Sequence, residues 1–185
     1  MAETPSNMMP LGTKAPDFNL PDTISGKKKS LREFKSDKAT VIMFICNHCP
    51  FVKHVQQGLV KLANDYISKG VSFVAISSND VIAYPEDSPQ RMREVARQFG
   101  YPFPYLYDET QEVAQAYLAA CTPDLYVFDK DLRCIYRGQM DDSRPSNDIP
   151  VTGNDIRAAL DAILAGKAVK SEQKPSIGCN IKWKK

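Results

Sequence analysis

Cys46 and Cys49, separated by Asn47 and His48 and followed by Pro50, bring together the most reactive side chains of this chain. Two thiols at this spacing can close into a disulfide and reopen. A Cys46 thiolate attacks a target disulfide, and Cys49 resolves the mixed intermediate. The nucleophile must be the thiolate, so the site has to lower a thiol pKa from its ordinary value of about 8.5. His48 serves that end as an imidazolium, which stabilises a Cys46 thiolate and the reduced form with it. Both histidines of the chain, His48 and His54, lie here, so Cys46, His48, Cys49 and His54 also form a set of metal-competent ligands. Cys49 and His54 are five residues apart, about 500° of helix rotation, and point to different sides of a helix, which weakens a metal site.

The motif sits where a strand runs into a helix. Residues 39–45 are apolar and rich in β-branched side chains, as in a fully buried strand, and Val52, Val55, Leu59, Leu62 and Tyr66 then recur at helical spacing until Gly70. Cys46 is therefore expected at the mouth of a helix N-terminus, where free backbone N–H groups and the positive dipole end favour a thiolate.

Around this unit, residues 1–12 carry no periodicity and read as a loose arm. Ser25-Gly26 joins two short edge strands into a hairpin, and residues 31–34 form one helical turn. A second buried strand covers 71–77, a loop covers 79–87, and Ser88-Pro89 caps a helix ending at Gly100. A short strand at 104–107 follows. Asp108 and Gln111 are spaced as a capping pair for a helix with Val113, Tyr117 and Leu118. Strands 125–128 and 132–138, joined by three residues, must be antiparallel. Thr152 opens a last helix with Ile156, Ala159, Leu160 and Ile163 on one face, and 167–185 is a C-terminal tail. The order implies a single α/β domain over 1–185 with a mixed sheet.

At 185 residues and 43% hydrophobic, the chain can bury a sizeable core. Its formal net charge of +2 gives no argument for nucleic acid or a membrane surface. No secretory leader or spanning segment is evident, and the chain reads as cytoplasmic. An odd count of 5 cysteines argues against a purely structural disulfide framework.

The CxxC at the first strand–helix junction and Thr122-Pro123 ahead of strand 125–128 resemble the thioredoxin fold. The segments around Cys46-Asn47-His48-Cys49-Pro50, Thr122-Pro123-Asp124, 141–145, 150–153 and 176–183 resemble a bacterial thioredoxin-like, redoxin-domain family related to AhpC/TSA. The resemblance implies a mixed central sheet flanked by helices, with an N-terminal β-hairpin extension. It also implies a cis Thr122-Pro123 bond facing Cys46 and Cys49, and a substrate side formed by Asn47, Pro50, Thr122 and Pro123, where Thr122 offers its backbone to an extended substrate. Histidine beside the second cysteine resembles protein disulfide isomerases and implies a potential shifted from about −270 mV toward about −180 mV.

Cys121 adjoins Thr122-Pro123 and Cys179 lies in the tail, so each is a candidate third redox thiol or a buried small hydrophobe. Cys134 alternates with Leu132 and Tyr136 and reads as core. The expected activity is thiol–disulfide exchange with protein or low-molecular-weight disulfides, reset by an upstream thiol reductant and requiring no cofactor. Two alternatives stand beside it. One is a thiol peroxidase, although the Thr-x-x-Cys pattern of peroxiredoxins is broken, with Cys46 three residues before Cys49 and Met43 three residues before Cys46. The other is a Cys/His metal protein.

Overall fold

The structure, a computed structural model, describes residues 3–185. In chain order it contains β1 (Glu3–Pro5), β2 (Asn19–Pro21), β3 (Lys28–Ser30), α1 (Leu31–Phe34), β4 (Ala39–Phe44), α2 (Pro50–Ile67), β5 (Val71–Ser77) and α3 (Pro89–Phe99). There follow β6 (Tyr105–Tyr107), α4 (Glu112–Ala116), β7 (Cys121–Thr122), β8 (Asp124–Phe128), β9 (Cys134–Gly138), α5 (Asn154–Leu164) and β10 (Ile177–Asn180).

Five strands form the central sheet in the order β6-β5-β4-β8-β9, with β6, β5 and β4 parallel and β8 and β9 antiparallel to their neighbours. Every residue of β4 is buried, because the sheet is covered on both faces. The period of two divides its side chains. Val41 and Met43 join the layer packed under α2, α3 and α5, while Ile42 and Phe44 face α1, α4 and the N-terminal segment. Phe44 lies 5.5 Å from the Tyr117 ring and 5.9 Å from Tyr126, and burying a side chain of this size contributes about 1.5–3 kcal/mol.

This is the thioredoxin-like fold, with the expected hairpin β2–β3 outside the sheet. Three expectations need revision. The N-terminal arm is not loose: β1 pairs antiparallel with β10, Ser6 and Ser176 exchange hydrogen bonds, and Met9 is buried. Residues 1 and 2 of that arm lie outside the described residues. The pairing partner, β10, is the tail itself, so the two chain ends stabilise each other and neither shows a self-contained pattern. Next, Asp108 and Gln111 do not form a capping pair. Asp108 accepts the Ala114 N–H, while the Gln111 side chain donates to the carbonyls of Ser78 and Lys182 and accepts from the Lys184 N–H. Finally, α5 is opened by Asp141, whose Oδ2 accepts the N–H groups of Thr152 and Gly153, and Gly153 (φ 72°) is its N-cap.

Asp124 begins β8 opposite Phe44 and is fully buried. The Tyr126 hydroxyl donates to its Oδ2 at 3.0 Å, and Oδ1 has no partner among the described residues. Burial pushes this carboxyl up to about 8, against the opposing pull of the Tyr126 hydrogen bond and the backbone N–H groups of Ala120 and Leu125. The unfolded chain gives up this proton near pH 3.9 and the folded chain near 8, so folding favours the protonated acid in between. Its contribution is full below about pH 4 and declines as pH rises through the folded value. Asp124→Asn, which cannot ionise, should flatten the loss of stability between about pH 4 and 8 in urea titrations, each pKa unit being worth about 1.4 kcal/mol. An unchanged slope would show that Asp124 is ionised in the fold.

Candidate active site

β4 ends at Phe44 and α2 begins at Pro50, so the motif spans the junction. Cys49 is the N-cap of α2 and Pro50, exposed, is its first residue, where a missing N–H costs nothing. The segment between is held by Asp87, from the 3-10 turn Pro85–Asp87. Asp87 Oδ1 accepts the backbone N–H groups of Asn47 at 2.7 Å and His48 at 3.2 Å. Its Oδ2 lies 2.5 Å from His48 Nδ1 and accepts from Asn79 Nδ2 at 2.8 Å. Asn47 Nδ2 donates to the Glu86 carbonyl and the Tyr105 hydroxyl donates to Asn47 Oδ1. Tyr84 stacks on the His48 ring at 5.2 Å and 13°. Asp87, Tyr84 and Asn79 fall within the stretch read from sequence only as a loop. Nothing local marks them, since an acidic residue in a loop is ordinarily solvated.

The thiols lie against the residue before the cis peptide bond Thr122-Pro123. Cys46 Sγ is 3.3 Å from Thr122 Oγ1, and Cys49 Sγ is 3.2 Å from the Thr122 carbonyl oxygen. Cys46 is 2% exposed and Cys49 0%. The two sulfurs share a hydrogen bond that holds Cys46 well above its ordinary value, aided by burial and by the Asp87 charge. The same bond brings Cys49 down to about 5, with further donation from the Cys179 thiol and from the backbone N–H groups of Val52 and Cys179. The lowering expected at Cys46 is thus a property of the coupled pair rather than of Cys46 by itself. Cys49, as N-cap, faces the free N–H groups of α2, while those of Asn47 and His48 are taken by Asp87. The Thr122 carbonyl beside Cys49 favours a proton there, so the pair acts as one unit holding a single shared proton after its first ionisation.

His48 is raised above its ordinary value by the hydrogen bond to Asp87 and by the charges of Asp87 and Cys49, against burial and Lys182. Its positive charge is thus matched by Asp87 rather than left free to act on Cys46. Sγ of Cys46, a ring nitrogen of His48 and a carboxylate oxygen of Asp87 lie within 4.8 Å of one another, while His54 stands apart from this group. Both Asp87 oxygens already accept N–H groups, so a metal there would have to displace them.

The backbone edge expected to receive substrate is covered by the chain itself. β10 pairs antiparallel with β7, placing Cys179 opposite Thr122 and Asn180 opposite Cys121. A Cβ at Gly178 would collide with the Thr122 carbonyl, so only glycine lets the strand lie so close. The tail continues over the site: the Asp80 N–H donates to the Lys182 carbonyl and the Lys182 N–H to Asn79 Oδ1, so Asn79 binds both tail and Asp87. Cys179 is thereby brought to Cys49, and its thiol is pushed up to about 12 by burial and by the hydrogen bond to Cys49. Cys121 is buried against the Pro123 carbonyl, with burial holding its proton firmly. Cys134 is a buried core thiol pushed up to about 12 by burial.

The His48–Asp87 pair has a definite pH signature. His48, raised in the fold, contributes stability below its unfolded value of about 6.5 and loses it as pH rises through the folded value. Asp87, lowered in the fold, contributes above about 3.9 and loses it as pH falls through the folded value. The stability difference between wild type and Asp87→Asn should be greatest between about pH 4 and 6.5. In the variant the His48 imidazole resonances should titrate at lower pH. An unmoved NMR titration would remove Asp87 as the cause.

The sequence pattern of the AhpC/TSA family matches residues 11–137. An uncharacterized conserved protein from Geobacillus kaustophilus is 69% identical, with 100% of this chain and 97% of that one covered at a TM-score of 0.98. A hypothetical protein from Sinorhizobium meliloti is 51% identical, with 98% of each chain covered at a TM-score of 0.95. The thioredoxin domain of a thiol-disulfide oxidoreductase from Bacteroides vulgatus, 18% identical, shares the fold at a TM-score of 0.62 over 72% of this chain and 91% of that one. A comparison with curated proteins finds no match. With its thiol pair at the end of β4, a cis-proline beside it and a family pattern spanning more than half its length, the chain belongs to the AhpC/TSA family of thioredoxin-like redoxins.

Proposed function

We propose that the protein is a thiol–disulfide oxidoreductase that cycles Cys46 and Cys49 between dithiol and disulfide. The observation that carries this reading is the placement of both sulfurs against the residue before a cis-proline, Cys46 Sγ 3.3 Å from Thr122 Oγ1 and Cys49 Sγ 3.2 Å from the Thr122 carbonyl oxygen. Cys46 is the attacking thiol, because it is the one with residual surface and lies beside Thr122 Oγ1. As its sulfur bonds to one sulfur of a substrate disulfide, its proton passes to Cys49, and the other substrate sulfur leaves as a thiolate. Cys49 then gives up that proton and attacks the Cys46 sulfur of the mixed disulfide, releasing the second substrate thiolate. An upstream thiol reductant restores the pair.

Asp87 and His48 position the segment: one carboxylate fixes the Asn47 and His48 backbone and balances the imidazolium. Asn47, Pro50, Thr122 and Pro123 border the approach to Cys46. Because β10 covers the Thr122 edge, small disulfides and exposed protein disulfides fit this site better than an extended peptide does. Among the described residues no helix is long and apolar enough to cross a membrane. The reading suits a reducing compartment such as the cytoplasm, where thiol reductants are supplied.

AhpC/TSA membership supports a second reading, a thiol peroxidase. Against it stands the lack of the peroxide-holding threonine three residues before either cysteine, where Met43 precedes Cys46 and Cys46 precedes Cys49.

Insulin reduction and peroxide consumption, measured side by side on metal-free protein, separate the two. We expect disulfide reduction that falls to background in Cys46→Ser, with peroxide turnover lower by at least about tenfold, a difference of about 1.4 kcal/mol in barrier. Peroxide turnover without insulin reduction would favour the peroxidase. Iodoacetamide should label Cys46 first, because Cys49 has no exposed surface, as mapped by mass spectrometry. Preferential labelling of Cys49 would reverse the assignment of nucleophile and resolver.

A further inference from the structure

Three sulfurs meet at the start of α2, and Cys49 is the middle one. Its Sγ takes a hydrogen bond from Cys46 on one side and from Cys179 on the other. The position of Cys179 is set by the backbone of two strands: it is paired with Thr122, and the Thr122 carbonyl is the atom 3.2 Å from Cys49 Sγ. Gly178 lets β10 approach that carbonyl, and β1 pins β10 from its other edge through Glu3 opposite Cys179. Cys179 is 2% exposed, so its thiol is shielded from solvent within hydrogen-bonding reach of Cys49.

We propose that Cys179 is a third exchange thiol that takes the disulfide over from Cys46. The inference rests on the Cys46–Cys49 cycle proposed above. Once that disulfide has formed, the Cys179 thiol loses its proton as its sulfur attacks Cys49 Sγ. The Cys49–Cys179 bond forms, the Cys46–Cys49 bond breaks, and Cys46 leaves as a thiolate that takes up a proton. The number of disulfides is unchanged, so no further oxidant or reductant enters. The product is a nucleophile returned to its reduced form, with the oxidising equivalent held in a crosslink between the N-cap of α2 and β10. That crosslink fastens the C-terminal strand over the Thr122 edge. Cys121, buried against its own chain and turned to the Pro123 carbonyl, takes no part.

The test uses the full-length wild type. Reduced protein is mixed with one equivalent of oxidised glutathione, quenched in acid at intervals and alkylated with N-ethylmaleimide, and its disulfides are mapped by mass spectrometry. The expected course is Cys46–Cys49 first, followed by Cys49–Cys179 with Cys46 alkylated. In Cys46→Ser treated with diamide, Cys49–Cys179 should account for essentially all intramolecular disulfide. Recovery of Cys46–Cys49 alone in the wild type overturns the relay and leaves the two-thiol cycle standing. A bond from Cys179 to Cys46 or Cys121 overturns the assignment of Cys49 as its partner. Absence of any disulfide involving Cys46 overturns the two-thiol cycle itself, and the relay falls with it.

Discussion

The carboxylate of Asp87 is the constraint on which the site depends. One buried anion accepts two backbone N–H groups of the CxxC segment, faces a ring nitrogen of His48 and accepts the side-chain amide of Asn79. Hydrogen bonds to a charged group contribute about 1.5–3 kcal/mol each, and a buried anion that lost these donors would bear a desolvation cost of several kcal/mol. The arrangement therefore holds together or fails together. It fixes the loop after β5 against the end of β4 and decides which N–H groups remain for the thiols. Those of Asn47 and His48 are consumed, and those of the first turn of α2 are left for Cys49.

That allocation explains why the electrostatics differ from a simple helix-mouth thiolate. A histidine between two cysteines ordinarily supplies positive charge to the nucleophile. Here its charge is matched by Asp87, and the same Asp87 opposes a thiolate on Cys46. What remains to lower a thiol is the sulfur–sulfur hydrogen bond and the N-cap position of Cys49. The two sulfurs are thereby coupled, and the pair rather than either thiol alone gives up the first proton.

The second constraint is the docking of the C-terminal strand. β10 lies between β1 and β7, and its continuation is tied by Asn79 and Gln111 to the loops around the site. Asn79 contacts both Asp87 and the tail, so the two constraints are physically joined. The backbone edge before the cis-proline, which an extended substrate would need open, is closed here by the chain's own strand. Closure buries the reactive sulfurs and sets a third one beside them.

Much of this was legible in the residues alone. The buried strand 39–45, the helical repeat of Val52, Val55, Leu59 and Leu62, and the CxxC between them are local patterns, and local periodicity reports which faces must be buried. Together with Thr122-Pro123 they determined the fold class, the thiol pair and the place where the two sulfurs meet. Only the tertiary structure decided what surrounds them. Asp87 lies 38 residues beyond Cys49 and Cys179 lies 130 beyond it, and neither carries a periodicity that points to its partner. The N-terminal segment read as loose for the same reason: its hydrogen bonds are made with a strand at the other end of the chain. Backbone pairing and buried charge pairing depend on which groups the fold brings within about 3 Å, and that distance is set by the assembled sheet rather than by any stretch of sequence.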